Sequence, residues 1–391
     1  MRSPVISVVI PVFNAEEFIE LAIESVMVQP VSEVEVLCIN DGSTDGSWNK
    51  LQELQKKHSN LHIYNKENTG VSDTRNYGLS LAQGEFVLFL DADDEIYPDI
   101  FRVCLKHLKR FKADAILFNM VAVLPSGLKI KCFGNEHFKK SFLVTRPQNY
   151  SPAFNFTNAA PGLFRRQYLQ EHSLLFKKGQ LYEDWLFMVN FFVTNPKVIF
   201  LDKVFYAYRI QENGKSNITN NISSSCLDIF SSYLLADALI RNNFPSKEPL
   251  FINDKKILNE SVSFVRNRLA DHLDGDVAQE YLKSIKKISS RFDLLYLQSL
   301  LQSLPWEVRV TADLIRKKKV KSKYSIQLRC RYLWTLYSIR QVLRECKNIL
   351  KNLCAIGLIY KRAVVTQNRK KNVKYSSPDG GSRFMFRQCR I

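Results

Sequence analysis

Several protein classes are excluded by what this 391-residue chain lacks. Its eight cysteines, at 38, 104, 132, 226, 330, 346, 354 and 389, form no CxxC pair. That argues against the common zinc and disulfide frameworks and for free thiols in a reducing compartment. No window offers the ~18 to 20 uncharged apolar residues of a membrane span. The apolar run near Met1 is cut short by Pro11, so no secretory leader is expected. No internal repeat is visible. None of the 14 glycines falls within Phe13–Glu17, so the GxGxxG dinucleotide fingerprint is missing where it would have to be. Gly214, Lys215 and Ser216 match the end of a P-loop, but Arg209 stands where its first glycine belongs. Acidic residues are almost absent from the C-terminal end. Arg309–Ile391 holds 22 Lys and Arg against Asp313, Glu345 and Asp379, a surplus of 19, whereas the first 308 residues carry 34 basic and 35 acidic side chains.

What is present is a globular composition, 46% apolar with 24% charged residues, and a clear order of elements. Over the first hundred residues, short β-rich runs alternate with helical patterns, the sign of a parallel α/β sheet. Strands are predicted at Val5–Val12, Val34–Ile39, Leu61–Tyr64 and Glu85–Leu90. Helices are predicted at Ala15–Val28, with Asn14 as N-cap, at Gly46–Lys57, capped by Asp45, and at Ser72–Ala82. A helix over Asp99–Phe111 follows, then strand-like runs at Ala115–Phe118, Val121–Leu124, Val198–Leu201 and Lys203–Arg209. Between them lie a polar, aromatic stretch from Gly134 to Phe164 and a helix opening near Leu181–Trp185. Beyond Ile222 long helical patterns take over: Cys226–Ile240, Lys255–His272, Val277–Ile288 and Ser325–Ile359.

In open parallel sheets, ligands bind beyond the carboxyl ends of the strands. Each polar cluster of the first hundred residues lies there: Phe13 and Asn14, Asn40–Asp45, Lys66–Gly70 and Asp91–Asp94. The four loops should face one crevice. Carboxylates as crowded as Asp91, Asp93 and Asp94 repel unless a cation intervenes, and hard divalent ions favour such oxygen donors. Asn40–Asp45 reads equally as a turn with an N-cap or as a ligand loop in which Asp41 accepts from a base or ribose. Arg75 can pair with Asp91, a phosphate or the surface. Glu183 and Asp184, at a helix start, suit either the helix dipole or a general base.

Together, the motifs Val8–Asn14, Ile39–Ser47, Asn68–Leu79 and Phe89–Asp94 resemble family 2 glycosyltransferases closely over about the first 100 residues, and more loosely through Arg209. The resemblance implies a GT-A fold, a Rossmann-like, mostly parallel sheet flanked by helices. It also implies inverting transfer of a sugar from a nucleotide diphosphate, usually UDP. Carried over residue by residue, it places Pro11, Phe13, Asn14, Glu16, Asp41, Ser43, Arg75, Asp91, Ala92, Arg209 and Ser216 around the donor. Asp91 and Asp93 become the DxD that holds Mn2+ or Mg2+, and Asp184, next to Glu183, becomes the base.

The expected organisation is a catalytic domain over 1–220, a helical extension over 221–305, a basic amphipathic helical region over 306–362 and a loose basic tail over 363–391. Basic amphipathic helices with Trp and Tyr read as membrane-surface elements. The expected location is therefore cytoplasmic, on the anionic inner face of the plasma membrane, acting on a glycan or lipid-linked acceptor of surface polysaccharide. Two rival readings are a nucleic-acid binder using the basic end, for which no recognition motif is visible, and a nucleotide-sugar-binding homologue without transfer.

Overall fold

The computed structural model describes residues 3–30, 33–131, 140–147, 153, 154, 156, 158–180, 182–211, 228–244 and 254. All belong to the first of two compact units, Met1–Lys317. The expectations for Ser216, for 255–391, and for 221–227 and 245–253 lie outside the described residues.

The segment from Ile6 to Phe89 builds in the predicted alternation. β1 (Ile6–Val12), α1 (Ile19–Met27), β2 (Val34–Asp41), α2 (Ser47–Lys57), β3 (Leu61–Lys66), α3 (Val71–Leu81) and β4 (Phe86–Phe89) alternate along the chain. Their strands pair in parallel in the order β3-β2-β1-β4. These strands are almost continuously apolar because helices cover both faces of the sheet. Alternate residues go to opposite sides. Val8, Ile10, Val36 and Cys38 meet Ile19, Ile23, Leu51 and Leu54 of α1 and α2, while Val9, Leu37 and Ile39 meet Leu79 of α3. α3 approaches so closely that a Cβ on Gly78 would stand 2.4 Å from Val9 Cγ1.

Beyond β4 the sheet is mixed, which corrects the mostly parallel expectation. The remaining elements are β5 (Glu95–Ile96), α4 (Ile100–Phe111), β6 (Ala115–Val123), β7 (Lys129–Lys131), β8 (Phe142–Val144), β9 (Gly162–Arg165), α5 (Arg166–Glu171), α6 (Glu183–Val193), β10 (Val198–Arg209) and α7 (Asp228–Asn243). β9 inserts antiparallel between β4 and β6, β6 and β10 run parallel, and β5, β7 and β8 add antiparallel partners. The two strand-like runs at 198–209 are one strand, broken in pattern by register irregularities between Leu201 and Tyr206, where a bulge interrupts the period-2 alternation. α6 is buried along most of its length, packing Phe187, Phe191 and Phe192 into the aromatic layer under β4, β9 and β10.

The helix caps differ from expectation at α1. Asn14 sits at φ 50°, and its Oδ1 accepts the Thr44 N–H at 2.8 Å, so it ties two loops together instead of opening a helix that starts at Ile19. Asp45 does serve α2, from one position further out: its Oδ1 accepts the Ser47 N–H at 3.0 Å and the Ser47 hydroxyl at 2.5 Å.

Candidate active site

The loops after β1 and β2 are stitched into one rim. The Ser43 hydroxyl accepts the Asn14 N–H at 3.0 Å, Glu16 Oε2 accepts the Gly46 N–H at 2.9 Å, and Asp45 Oδ2 accepts the Glu16 N–H at 3.1 Å. Pro11 closes β1 beneath the rim, and Phe13 projects with half its surface exposed. Asp41, at the end of β2, is buried and fully engaged within the chain. Its Oδ1 accepts the Thr69 N–H and its Oδ2 the Gly70 N–H, each at 2.9 Å, and Lys66 Nζ donates to Oδ1. It therefore secures the loop before α3, where Gly70 adopts φ 90°, a conformation that favours glycine.

Arg75, on the first turns of α3, is the hub of the crevice. It is 4% exposed, yet its guanidinium reaches three carboxylates: Nη2 to Asp91 Oδ1 at 2.7 Å, Nη1 to Glu183 Oε1 at 2.6 Å and Nη1 to Asp184 Oδ1 at 3.4 Å. The pairing left open by the sequence is thus an ion-pair fork joining the end of β4 to the start of α6. Burial alone would lower the pKa of Arg75, but the three carboxylates hold it well above the ordinary value. Burial pushes the Asp184 carboxyl up to about 7; Arg75 opposes that rise, while Glu183 and Asp91 add to it. Its side chain keeps 22% of its surface open.

The acidic run divides. Asp91 and the half-buried Asp93 remain at the crevice, with Ala92 buried between them. Burial, with the neighbouring Asp91 charge, pushes Asp93 up to about 6, although the Gln211 amide donates to it at 3.1 Å. Asp94 turns away and is 1% exposed, accepting the Tyr206 hydroxyl at 2.7 Å and the Arg209 N–H at 2.8 Å. The Arg209 side chain pairs with Glu95 and lies over the Phe18 ring, 5.7 Å from its centroid. Among the described residues no group of three His, Cys, Asp or Glu side chains forms a metal cluster. Two crowded carboxylates nonetheless suit a hard divalent ion that takes its other ligands from phosphates and water.

The structure thus brings Asp91, Arg75, Glu183 and Asp184 into one network, and Asn14, Glu16 and Ser43 into another. Tyr206 and Phe176 are the site residues that sequence reasoning missed. Tyr206 stands at the register irregularity of β10, where period-2 alternation fails, and Phe176 in an irregular segment with no local pattern.

Residues 7–172 match the sequence profile of the family described as "Glycosyl transferase family 2". Over that segment, somewhat less than half of its length, the chain is similar to this family. The glycosyltransferase GlyA of Streptococcus pneumoniae is 27% identical over 224 residues, covering 54% of this chain and 32% of GlyA. The putative glycosyltransferase EpsH of Bacillus subtilis is 28% identical over 218 residues, covering 54% of this chain and 62% of EpsH. The minor teichoic acid biosynthesis protein GgaB of the same organism is 26% identical over 299 residues, covering 73% of this chain and 32% of GgaB. The chain therefore matches one third to just under two thirds of the length of these curated relatives. The fold is shared with residues 1–349 of S. aureus TarS, solved with UDP-GlcNAc, at a TM-score of 0.64 and 22% identity, covering 84% of this chain and 91% of that one.

Proposed function

We propose that the protein transfers a glycosyl group, with inversion, from a nucleotide diphosphate sugar to a hydroxyl of a glycan or lipid-linked acceptor. UDP is the nucleotide, and the pathway makes a cell-surface polysaccharide. The observation that supports this reading best is the Arg75 fork, in which one guanidinium pairs with both Asp91 and Asp184, beside a carboxylate of raised pKa. Asp184 takes the proton of the acceptor hydroxyl as that oxygen attacks the anomeric carbon. The glycosyl–phosphate bond breaks on the opposite face and the electron pair leaves with the diphosphate. One base and no covalent intermediate suffice for such a displacement, whose transition state has the oxocarbenium character of glycoside hydrolysis.

Asp91 and Asp93 would hold Mn2+ or Mg2+, which supplies positive charge to the departing diphosphate. Phe13 offers an exposed aromatic face to the base, and Asn14, Glu16, Asp41 and Ser43 fix the loops that frame it. Arg209 and Ser216 complete the donor side. The surplus of 19 positive charges after residue 308 supports peripheral attachment to an anionic membrane.

Incubation of the full chain with a panel of UDP-sugars, with and without Mn2+, and with lipid-linked and glycan acceptors tests the reading. Metal-dependent release of UDP with glycosylated product supports it. Donor binding without transfer or hydrolysis would favour a non-catalytic sugar-nucleotide binder. Flotation with anionic liposomes, set against salt-titrated DNA and RNA shifts, separates membrane attachment from nucleic-acid binding.

A further inference from the structure

Asn76 follows Arg75 on α3, and its side-chain amide closes a two-hydrogen-bond ring on a residue 100 positions away. Its Nδ2 donates to the Phe176 carbonyl at 2.8 Å, and its Oδ1 accepts the Phe176 N–H at 2.9 Å. The flanking Leu175 and Lys177 are exposed, while Phe176 between them turns inward, to 2% exposure. Its ring lies beneath the Arg75 guanidinium, whose Cζ is 5.1 Å from the ring centroid. An arginine over an aromatic face gains a cation–π attraction that strengthens with burial. It matters here because Arg75 Nε has no hydrogen-bond partner among the described residues, so hydrogen bonds hold the guanidinium only at its far end.

The same ring registers the elements that carry the carboxylates. Phe176 is stacked on Phe187 at 4.2 Å with 7° between planes, and meets Phe89 edge-on at 5.0 Å. Phe89 ends β4 two residues before Asp91, and Phe187 lies one helical turn after Glu183 on α6. A helical residue four positions on covers the same face. One aromatic cluster thus touches the elements bearing Asp91 and Glu183 and the cation between them.

We propose that Asn76 and Phe176 are positioning residues: Asn76 clamps Phe176, and the Phe89–Phe176–Phe187 cluster sets the Arg75 guanidinium where it bridges Asp91 to Glu183 and Asp184. Neither needs to touch substrate. The structural claim is independent of the transfer reading; its kinetic consequence rests on that reading.

Two measurements on the full chain test it. The first needs no activity. In 15N-arginine spectra, Arg75 Nε–H, identified by its loss in Arg75→Lys, should resonate upfield because its guanidinium lies over a ring face, and should move back toward the random-coil position in Asn76→Ala. An unshifted wild-type signal, or one that survives unchanged in folded Asn76→Ala, overturns the clamp. The second is kinetic. Phe176→Leu keeps apolar bulk but removes the aromatic face, and should lower kcat about 10- to 100-fold at unchanged donor KM, while Phe176→Tyr restores most of the loss. Equal losses in both variants, or an effect on KM alone, overturn the positioning role. If Asn76→Ala does not fold, the two Phe176 variants and their arginine spectra decide. An upfield Arg75 signal in a protein that transfers nothing supports the platform and counts against transfer.

Discussion

The Tyr206 hydroxyl donates to Asp94 Oδ2 at 2.7 Å and, from the same oxygen, accepts the Asp91 N–H at 3.3 Å. A single phenol on β10 therefore fixes both ends of the acidic run. It commits Asp94 to the interior, while Asp91 is left to Arg75 and the crevice.

Replacement Tyr206→Phe strips a buried carboxyl and a partly buried backbone N–H of the same partner. Leaving such groups unsatisfied costs about 1–3 kcal/mol each. Urea unfolding should show a loss of that order with an unchanged m-value. A stability equal to wild type would mean that the hydroxyl is dispensable and that Asp94 is held by Arg209 N–H alone.

For Asp184→Asn, donor binding measured by thermal shift should stay near wild type while turnover falls by about 10²- to 10⁴-fold, the range general base catalysis contributes. Glu183→Gln should have the smaller effect. An unchanged rate in the Asp184 variant would transfer the role of base to Glu183.

The pH dependence follows from the Asp184 carboxyl standing near 7. A base must be ionised, so kcat should rise through about pH 7 and the acid limb should vanish in Asp184→Asn. Stability runs the other way. A carboxyl whose folded pKa is raised above its unfolded value of 3.8 contributes stability below that value, and loses it as pH climbs through about 7. Asn imitates the protonated form. The variant should therefore melt higher than wild type at pH 8 and close to it at pH 4, and a reversed order in calorimetry would contradict the burial argument.

Removal of Asp93 takes away a carboxylate crowded by Asp91. Asp93→Ala should keep its fold by circular dichroism, lose metal-dependent turnover and bind Mn2+ more weakly by electron paramagnetic resonance. Activity retained at wild-type level would remove Asp93 from the metal role.

Much of this arrangement is legible along the chain because it depends on local periodicity. Val5–Val12 and Val34–Ile39 are nearly continuous apolar runs, broken only by Ser7, Pro11 and Glu35, a pattern suited to strands covered on both faces, and the polar residues that follow such strands must collect at one edge. Phe13, Asp41, Asp91 and Asp93 are brought to that edge by that rule with no tertiary information. Local pattern fails where partners are remote. Asn14 looks like a cap but is claimed by Thr44, and the bulge in β10 splits one strand into two apparent ones. β9 is a short strand, and its position between β4 and β6 depends on pairing that no window of sequence contains.

The sequence by itself determined the alternation of strands and helices in the first hundred residues, the carboxylates available to the crevice and the concentration of positive charge after residue 308. Each of these follows from residue type and spacing alone. The tertiary structure decided which carboxylate does what. Asp91, Glu183 and Asp184 meet on Arg75 across sequence separations of 16 to 109 residues, Asp94 is withdrawn by Tyr206 from 112 residues away, and Phe176 reaches Arg75 through the amide of Asn76. Three like charges repel at short range in any local segment. Only a fold that inserts a buried guanidinium among them holds them together.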